Sequence, residues 1–227
     1  LFLYSAQTFM TDESIGKITS YAKNSPYASQ QSYGKVYKTK PVENGYFDDT
    51  LFIGDSLTDG FRMQSGLYNS TFLCGTSMTV SGIYSREWKD GLTMMDRIKQ
   101  GGFEKIYIML GINENIKMEN KDPFAQNYAG LVDVIKEHNP DAVIYIQSIL
   151  PVTETTDKKG RITNAVIDAF NEALFEVSLE KRVFYLDINK SLKNENGYLP
   201  EEAAVDGIHF KKDYYMKWLE FLKTHAI

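Results

Sequence analysis

Cysteine and histidine are scarce in this chain: 227 residues include one Cys, at position 74, and three His. A lone thiol excludes an intrachain disulfide, and no Cys/His cluster is present to hold zinc, so chemistry without a metal or cofactor is expected. Basic charge is not in excess either. The 25 Lys and Arg are outnumbered by 30 Asp and Glu, the net charge is −5, and no basic block occurs. A nucleic-acid backbone is therefore excluded as a natural partner, and a small or uncharged substrate fits better. No stretch approaches the roughly 20 apolar residues that a membrane-spanning helix needs, and no complete signal peptide is visible. Internal repeats and low-complexity tracts are absent as well. What the chain does have is 43% hydrophobic and 13% aromatic residues, enough to build a substantial core in one domain.

Residues 1–48 read as a polar N-terminal extension or spacer, rich in Ser, Tyr, Lys and Gln and interrupted by Pro26 and Pro41. Its tyrosines, Tyr21, Tyr27, Tyr33, Tyr37 and Tyr46, follow no steady period but could pack on the main domain. The opening Leu1-Phe2-Leu3-Tyr4 could be the tail of a signal or anchor segment. The expectation is an extracellular or cell-surface protein with a membrane tether upstream of Leu1, a cytoplasmic location being the alternative. From residue 49 the pattern becomes regular. Five β-rich runs, at 50–53, 71–74, 105–110, 142–147 and 182–188, alternate with helix-compatible stretches at 92–100, 122–138, 161–181 and 213–224. Continuous apolar strands alternating with helices predict an α/β fold with a parallel sheet buried on both faces. Such sheets bind ligands beyond the carboxyl ends of their strands.

That rule directs attention to four places. The first strand ends in Gly54-Asp55-Ser56, the second in Cys74-Gly75-Thr76-Ser77 and the third in Gly111-Ile112-Asn113-Glu114, while Asp206-Gly207-Ile208-His209 precedes the last helix. Taken alone, each has a structural explanation as a turn, a cap or a loop-bonding amide. Together they supply a chemistry. Ser56 at a strand-to-helix turn presents a hydroxyl beside a helix N-terminus. His209 can take its proton, and Asp206 three residues earlier can fix the imidazole tautomer. The Gly75 backbone N–H and the Asn113 amide can serve as oxyanion donors. Cys74 reads as a small hydrophobe rather than a reactive thiol, and Asp55 and Asp59 as acidic residues suited to a helix start. Tyr84 and Trp88 could form a stacking platform for a sugar or simply pack on the sheet. His138 and His225 read as solvated surface residues.

These four segments resemble the blocks of the SGNH hydrolases, also called GDSL-type lipases and acylhydrolases, from about Phe47 to the C-terminus. The resemblance implies a flavodoxin-like three-layer sandwich with a five-stranded parallel sheet in residues 49–227. It also implies a Ser56-His209-Asp206 triad and an oxyanion hole made by the backbone N–H groups of Ser56 and Gly75 with the Asn113 side chain. Ile149-Leu150-Pro151-Val152 resembles the family's loop after the fourth strand. One departure is Glu114, where the family often has Asp after the Asn, a change that bears on local bonding more than on activity. The expected activity is that of a serine esterase. It would remove a short acyl group, acetyl above all, from a carbohydrate or related small ester through an acyl-enzyme. No long apolar insertion is available to act as a lipase lid. The alternatives are an O-acyltransferase on a cell-surface polysaccharide and a carbohydrate-binding domain without chemistry, against which the intact set of site residues argues.

Overall fold

The structure, a computed structural model, describes residues 33–227. Its centre is a sheet of six parallel strands in the order β1-β8-β7-β6-β2-β3. These are β1 (Gly34–Lys35), β2 (Thr50–Gly54), β3 (Thr71–Cys74), β6 (Lys105–Met109), β7 (Val143–Gln147) and β8 (Phe184–Leu186). A small antiparallel hairpin, β4 (Glu87–Lys89) with β5 (Leu92–Thr93), stands apart from the sheet. The helices are α1 (Ser56–Ser65), α2 (Gly82–Ser85), α3 (Met94–Lys99), α4 (Lys121–His138), α5 (Glu154–Asp157), α6 (Asn164–Lys181), α7 (Ile188–Leu192) and α8 (Lys212–Lys223).

The central strands are β-branched and aromatic, and β2, β6 and most of β7 are buried along their length, as a sheet covered on both faces requires. The register pairs Phe52 with Phe72 and Tyr107, and Tyr107 with Tyr145. Because side chains alternate across a strand, these four rings share one face and stack edge to edge of the sheet, with centroids 4.9, 5.0 and 4.5 Å apart. Phe61 of α1 and Trp218 of α8 close over them, 4.6 Å apart, and the buried Trp218 indole donates to Gln147 Oε1 at 2.9 Å. Leu51, Ile53, Ile106, Ile108, Ile144 and Ile146 have the opposite parity and form the second buried face. There α4 and α6 meet through Phe124 and Phe170, and Tyr128 donates to the Ile108 carbonyl.

The order of the five longer strands, β3-β2-β6-β7-β8, is that of a flavodoxin-like fold, so the parallel α/β expectation holds with one strand more than five. The sixth strand, β1, lies inside the stretch assigned to the extension. It is two residues long, too short to leave a periodic trace, yet it pairs with Phe184 and Tyr185 of β8. Residues 33–226 form one compact unit, so residues 33–48, read from sequence as part of the extension, pack with the sheet. Val36 and Phe47 are buried, Thr39 and Val42 donate backbone N–H groups to the end of α8, and the Tyr46 hydroxyl meets that of Tyr145 at 3.0 Å. Tyr33 packs on Phe184 whereas Tyr37 is exposed. The rest of the stretch expected to be an extension or spacer, residues 1–32 with Tyr21 and Tyr27, lies outside the described residues. No described helix is long and apolar enough to cross a membrane. The helix expected at 92–100 starts two residues later, because Leu92–Thr93 is the second hairpin strand and Thr93 caps α3 in a capping box with Asp96.

Candidate active site

In this strand order β2 lies between β3 and β6, where the winding direction of the sheet reverses and a crevice opens at the strand ends. Strand β2 ends at Gly54, where a Cβ would collide with the Thr58 side chain and lie 2.9 Å from the Met109 carbonyl oxygen. Only glycine allows the strand to pass so close before the helix begins. Asp55 then caps α1, accepting the Leu57 N–H at 2.8 Å, and Ser56 is the first helical residue. This turn leaves Ser56 half-buried at the crevice.

The second arm comes from the loop before α8. It is pinned by Thr153 N–H to the Gly207 carbonyl (3.1 Å), Val205 N–H to the His209 carbonyl (2.8 Å) and Lys211 N–H to the Ala203 carbonyl (2.8 Å). Asp206 Oδ1 accepts the backbone N–H groups of Ile208 and His209 at 3.0 and 2.8 Å, while its Oδ2 lies 2.7 Å from His209 Nδ1. His209 Nε2 is 2.8 Å from Ser56 Oγ, joining residues 153 positions apart. Hydroxyl, imidazole and carboxylate thus form one hydrogen-bonded chain.

The electrostatics fix its polarity. Partial burial pushes the Asp206 carboxyl up, but hydrogen bonds from the His209 backbone and ring and from Ile208 N–H outweigh it, holding the pKa at about 2. At neutral pH Asp206 is therefore an acceptor only. The proton between it and the ring belongs to Nδ1, and the Nε2 lone pair faces the Ser56 hydroxyl. Such a chain can remove a proton from the serine as its oxygen attacks a carbonyl carbon. Asp55 behaves in the opposite way: burial raises it to about 7 against the lowering effects of the Leu57 N–H, of the nearby His209 ring and of the Thr58 N–H.

Gly75 follows β3 at the same edge, because Gly54 pairs with Cys74 in register. Asn113 follows β6, and its Nδ2 donates to the Met78 carbonyl at 3.2 Å. Its neighbour Glu114 accepts the Val80 N–H at 2.7 Å. The third block therefore clamps the loop of the second through two adjacent side chains, and Glu114 has the local bonding role expected of it. Ser56 opens the helix after β2, Gly75 and Asn113 follow β3 and β6, and Asp206 and His209 lie in the loop before α8. Tyr84 and Trp88 do not make a stacked pair: Tyr84 is exposed on α2, Trp88 is half-buried on β4, and neither ring meets another aromatic ring among the described residues. Burial first, with the nearby Asp59 carboxylate, raises the Cys74 thiol to about 12, so it is a neutral group rather than a thiolate. His138 and His225 are half-buried rather than solvated. His138 Nδ1 lies 3.0 Å from the Val134 carbonyl and His225 stacks on Phe221 at 3.8 Å.

Sequence reasoning missed the support beneath the site. Asn171 brackets Ile149, accepting its N–H at 2.7 Å and donating to its carbonyl at 2.9 Å. Asn164 does the same for Val152, at 3.1 and 2.9 Å. Both asparagines are buried on α6 and hold the loop after β7, on which the Gly207 turn rests through Thr153. The only trace in sequence is a pair of asparagines seven residues apart on an otherwise apolar helix face.

Comparison with known proteins agrees with this architecture. A Streptococcus pneumonia structure provisionally named a platelet activating factor superposes with a TM-score of 0.64 at 19% identity, covering 93% of this chain and 92% of that one. A GDSL-like lipase from Bacteroides thetaiotaomicron matches with a TM-score of 0.56 at 16% identity over 75% of this chain and 84% of its own. An acetylxylan esterase from Geobacillus stearothermophilus matches with a TM-score of 0.54 at 16% identity over 78% and 94%. No curated protein matches the sequence. At these identities the likenesses establish the fold. Residues 52–216, however, match the GDSL-like Lipase/Acylhydrolase family itself, across most of the chain. The chain belongs to that family of ester hydrolases.

Proposed function

We propose that the protein is a serine esterase that removes a short acyl group, acetyl in particular, from a hydroxyl of a carbohydrate. The observation that carries this reading is the 2.8 Å contact between Ser56 Oγ and an imidazole nitrogen whose other nitrogen is held by a carboxylate. Ser56 Oγ attacks the ester carbonyl carbon as its proton moves to His209 Nε2, and Asp206 stabilises the resulting imidazolium. The carbonyl oxygen gains the negative charge and is met by the backbone N–H groups of Ser56 and Gly75 and by Asn113 Nδ2. Collapse breaks the bond to the sugar oxygen, which leaves with the proton from His209. Water then attacks the acyl-Ser56 ester by the same route in reverse, releasing the carboxylic acid and restoring the hydroxyl. The short acyl group is supported by the lack of a long apolar insertion in the sequence, and the carbohydrate by the similarity to an acetylxylan esterase.

The test is a panel of p-nitrophenyl esters of increasing acyl length, run beside acetylated xylooligosaccharides, with wild type and Ser56→Ala. Wild type should favour the acetyl ester and release acetate from the sugar. Ser56→Ala should lose on the order of 10⁴ to 10⁶ in turnover while remaining folded, since one hydroxyl contributes little packing. Unchanged activity in Ser56→Ala would overturn the assignment, and a preference for long acyl chains would overturn the substrate class.

A further inference from the structure

The segment between the second block and α3 carries an arginine that the chemistry above does not use. Arg86 follows α2, and its backbone is tied on both sides: its N–H donates to the Gly82 carbonyl at 2.9 Å and its carbonyl accepts the Met94 N–H at 3.0 Å. Its side chain folds back over the second block, where Nη1 donates to the Thr76 carbonyl at 2.6 Å. The same nitrogen lies 3.3 Å from the point where a Cβ on Gly75 would sit, the nearest heavy atom to that point outside the local chain. The guanidinium therefore borders the backbone of the glycine assigned to the oxyanion.

Its charge meets no countercharge among the described residues. Among the described residues no carboxylate lies within ion-pair distance of Arg86, and the partner it has is a neutral carbonyl. The acidic groups on the neighbouring elements are engaged elsewhere. Glu87 accepts the Gly91 N–H in the hairpin, Asp59 pairs with Arg62, Glu114 holds Val80 N–H, and Asp206 serves His209. The residue is solvent-exposed and the chain as a whole carries −5, so a fixed, unmatched cation at the mouth of the crevice is set apart from its surroundings. A guanidinium tethered through one nitrogen still presents a planar pair of N–H donors, the geometry that a carboxylate or phosphate accepts in bidentate fashion.

We propose that Arg86 is a specificity-determining residue that binds an anionic group, carboxylate or phosphate, on the alcohol portion of the ester. This rests on the esterase reading above. Because an acetyl group has no room for a charge, the anion belongs to the part that leaves, which makes acetylated acidic sugars or sugar phosphates the substrate class.

The experiment compares kcat/KM for the neutral ester phenyl acetate with two anionic analogues, 4-carboxyphenyl acetate and 4-acetoxyphenyl phosphate, in wild type, Arg86→Gln and Arg86→Lys. Intrinsic ester reactivity cancels when each ester is compared between enzymes. Arg86→Gln should cost at least one anionic ester roughly tenfold more than it costs phenyl acetate, mainly through KM, as expected for loss of a charge-assisted contact at a part-exposed site. Arg86→Lys should recover part of the difference, and added salt should shrink it in wild type alone. Which of the two anions shows the larger effect identifies the group recognised. Equal losses on all three esters would show that Arg86 only braces the Thr76 carbonyl and would overturn the proposal, as would no loss on any. A wild-type enzyme inactive on phenyl acetate as well would instead strike down the esterase reading itself, and the anion subsite with it.

Discussion

Two carboxylates beside the candidate site, Asp55 next to Ser56 and Asp206 against the His209 ring, are tuned in opposite directions, and each makes a separate forecast. Asp206 stays ionised down to about pH 2, so its negative charge is present beside the His209 ring throughout the range in which the enzyme is assayed. Asp206→Asn keeps the size of the side chain but removes the anion that places the proton on Nδ1. The rate at neutral pH should fall by roughly 10² to 10⁴, with the fold unchanged by circular dichroism. An unchanged rate and profile would strike Asp206 from the site. Asp55 retains its proton in the folded state up to about pH 7, whereas the unfolded chain releases it near the ordinary 3.8. Between those values the folded state binds more protons than the unfolded one. The group's contribution to stability is therefore complete below 3.8 and declines as pH rises toward 7. Asp55→Asn preserves a cap for the Leu57 N–H without a titrating acid, so its melting temperature relative to wild type should climb across this window. A constant difference at all pH values would contradict the burial account of Asp55.

At the scale of elements, the site is held by turns more than by helices. Gly207, with φ +92°, sits between Asp206 and His209 and packs so closely on the α5 region that a Cβ would collide with Thr156 Oγ1 and lie 2.9 Å from Thr153 Oγ1. Gly207→Ala should lower kcat/KM at least tenfold while costing only about 1–3 kcal/mol of stability by denaturant titration, because the strain is confined to one loop. Adding Thr156→Ala should restore part of the rate by making room. Wild-type activity in the single variant would show that the loop tolerates the shift and does not fix the His209 position. The same turns explain what the sequence displayed and what it hid. Strands β2, β6 and β7 were legible because continuous apolar runs bounded by glycine or polar residues have few other readings. The four site segments were legible because a parallel sheet gathers its strand ends at one edge. Strand β1 was hidden by its two-residue length, and the β4–β5 hairpin because a helical period ran through Leu92. The asparagine brackets on Ile149 and Val152 were hidden because a buried amide satisfying a loop leaves no periodic signal, and Arg86 because its position over Gly75 depends on a tertiary fold-back.

For the molecule as a whole, residues 33–226 form one unit in which the aromatic stack of Phe72, Phe52, Tyr107 and Tyr145 under Phe61 and Trp218 supplies a rigid floor. Loops that carry chemistry rest on that floor at a single edge, which is how residues 153 apart come within 2.8 Å. Family membership establishes an ester hydrolase, and the central claim beyond it is that Ser56 is the residue acylated in turnover. Intact-mass spectrometry of enzyme quenched during hydrolysis of p-nitrophenyl acetate, followed by peptide mapping, tests this most directly. The account predicts one acetyl adduct, confined to the peptide containing Ser56 and absent from Ser56→Ala. An adduct on another residue, or an acetyl-enzyme that persists in Ser56→Ala, would contradict it.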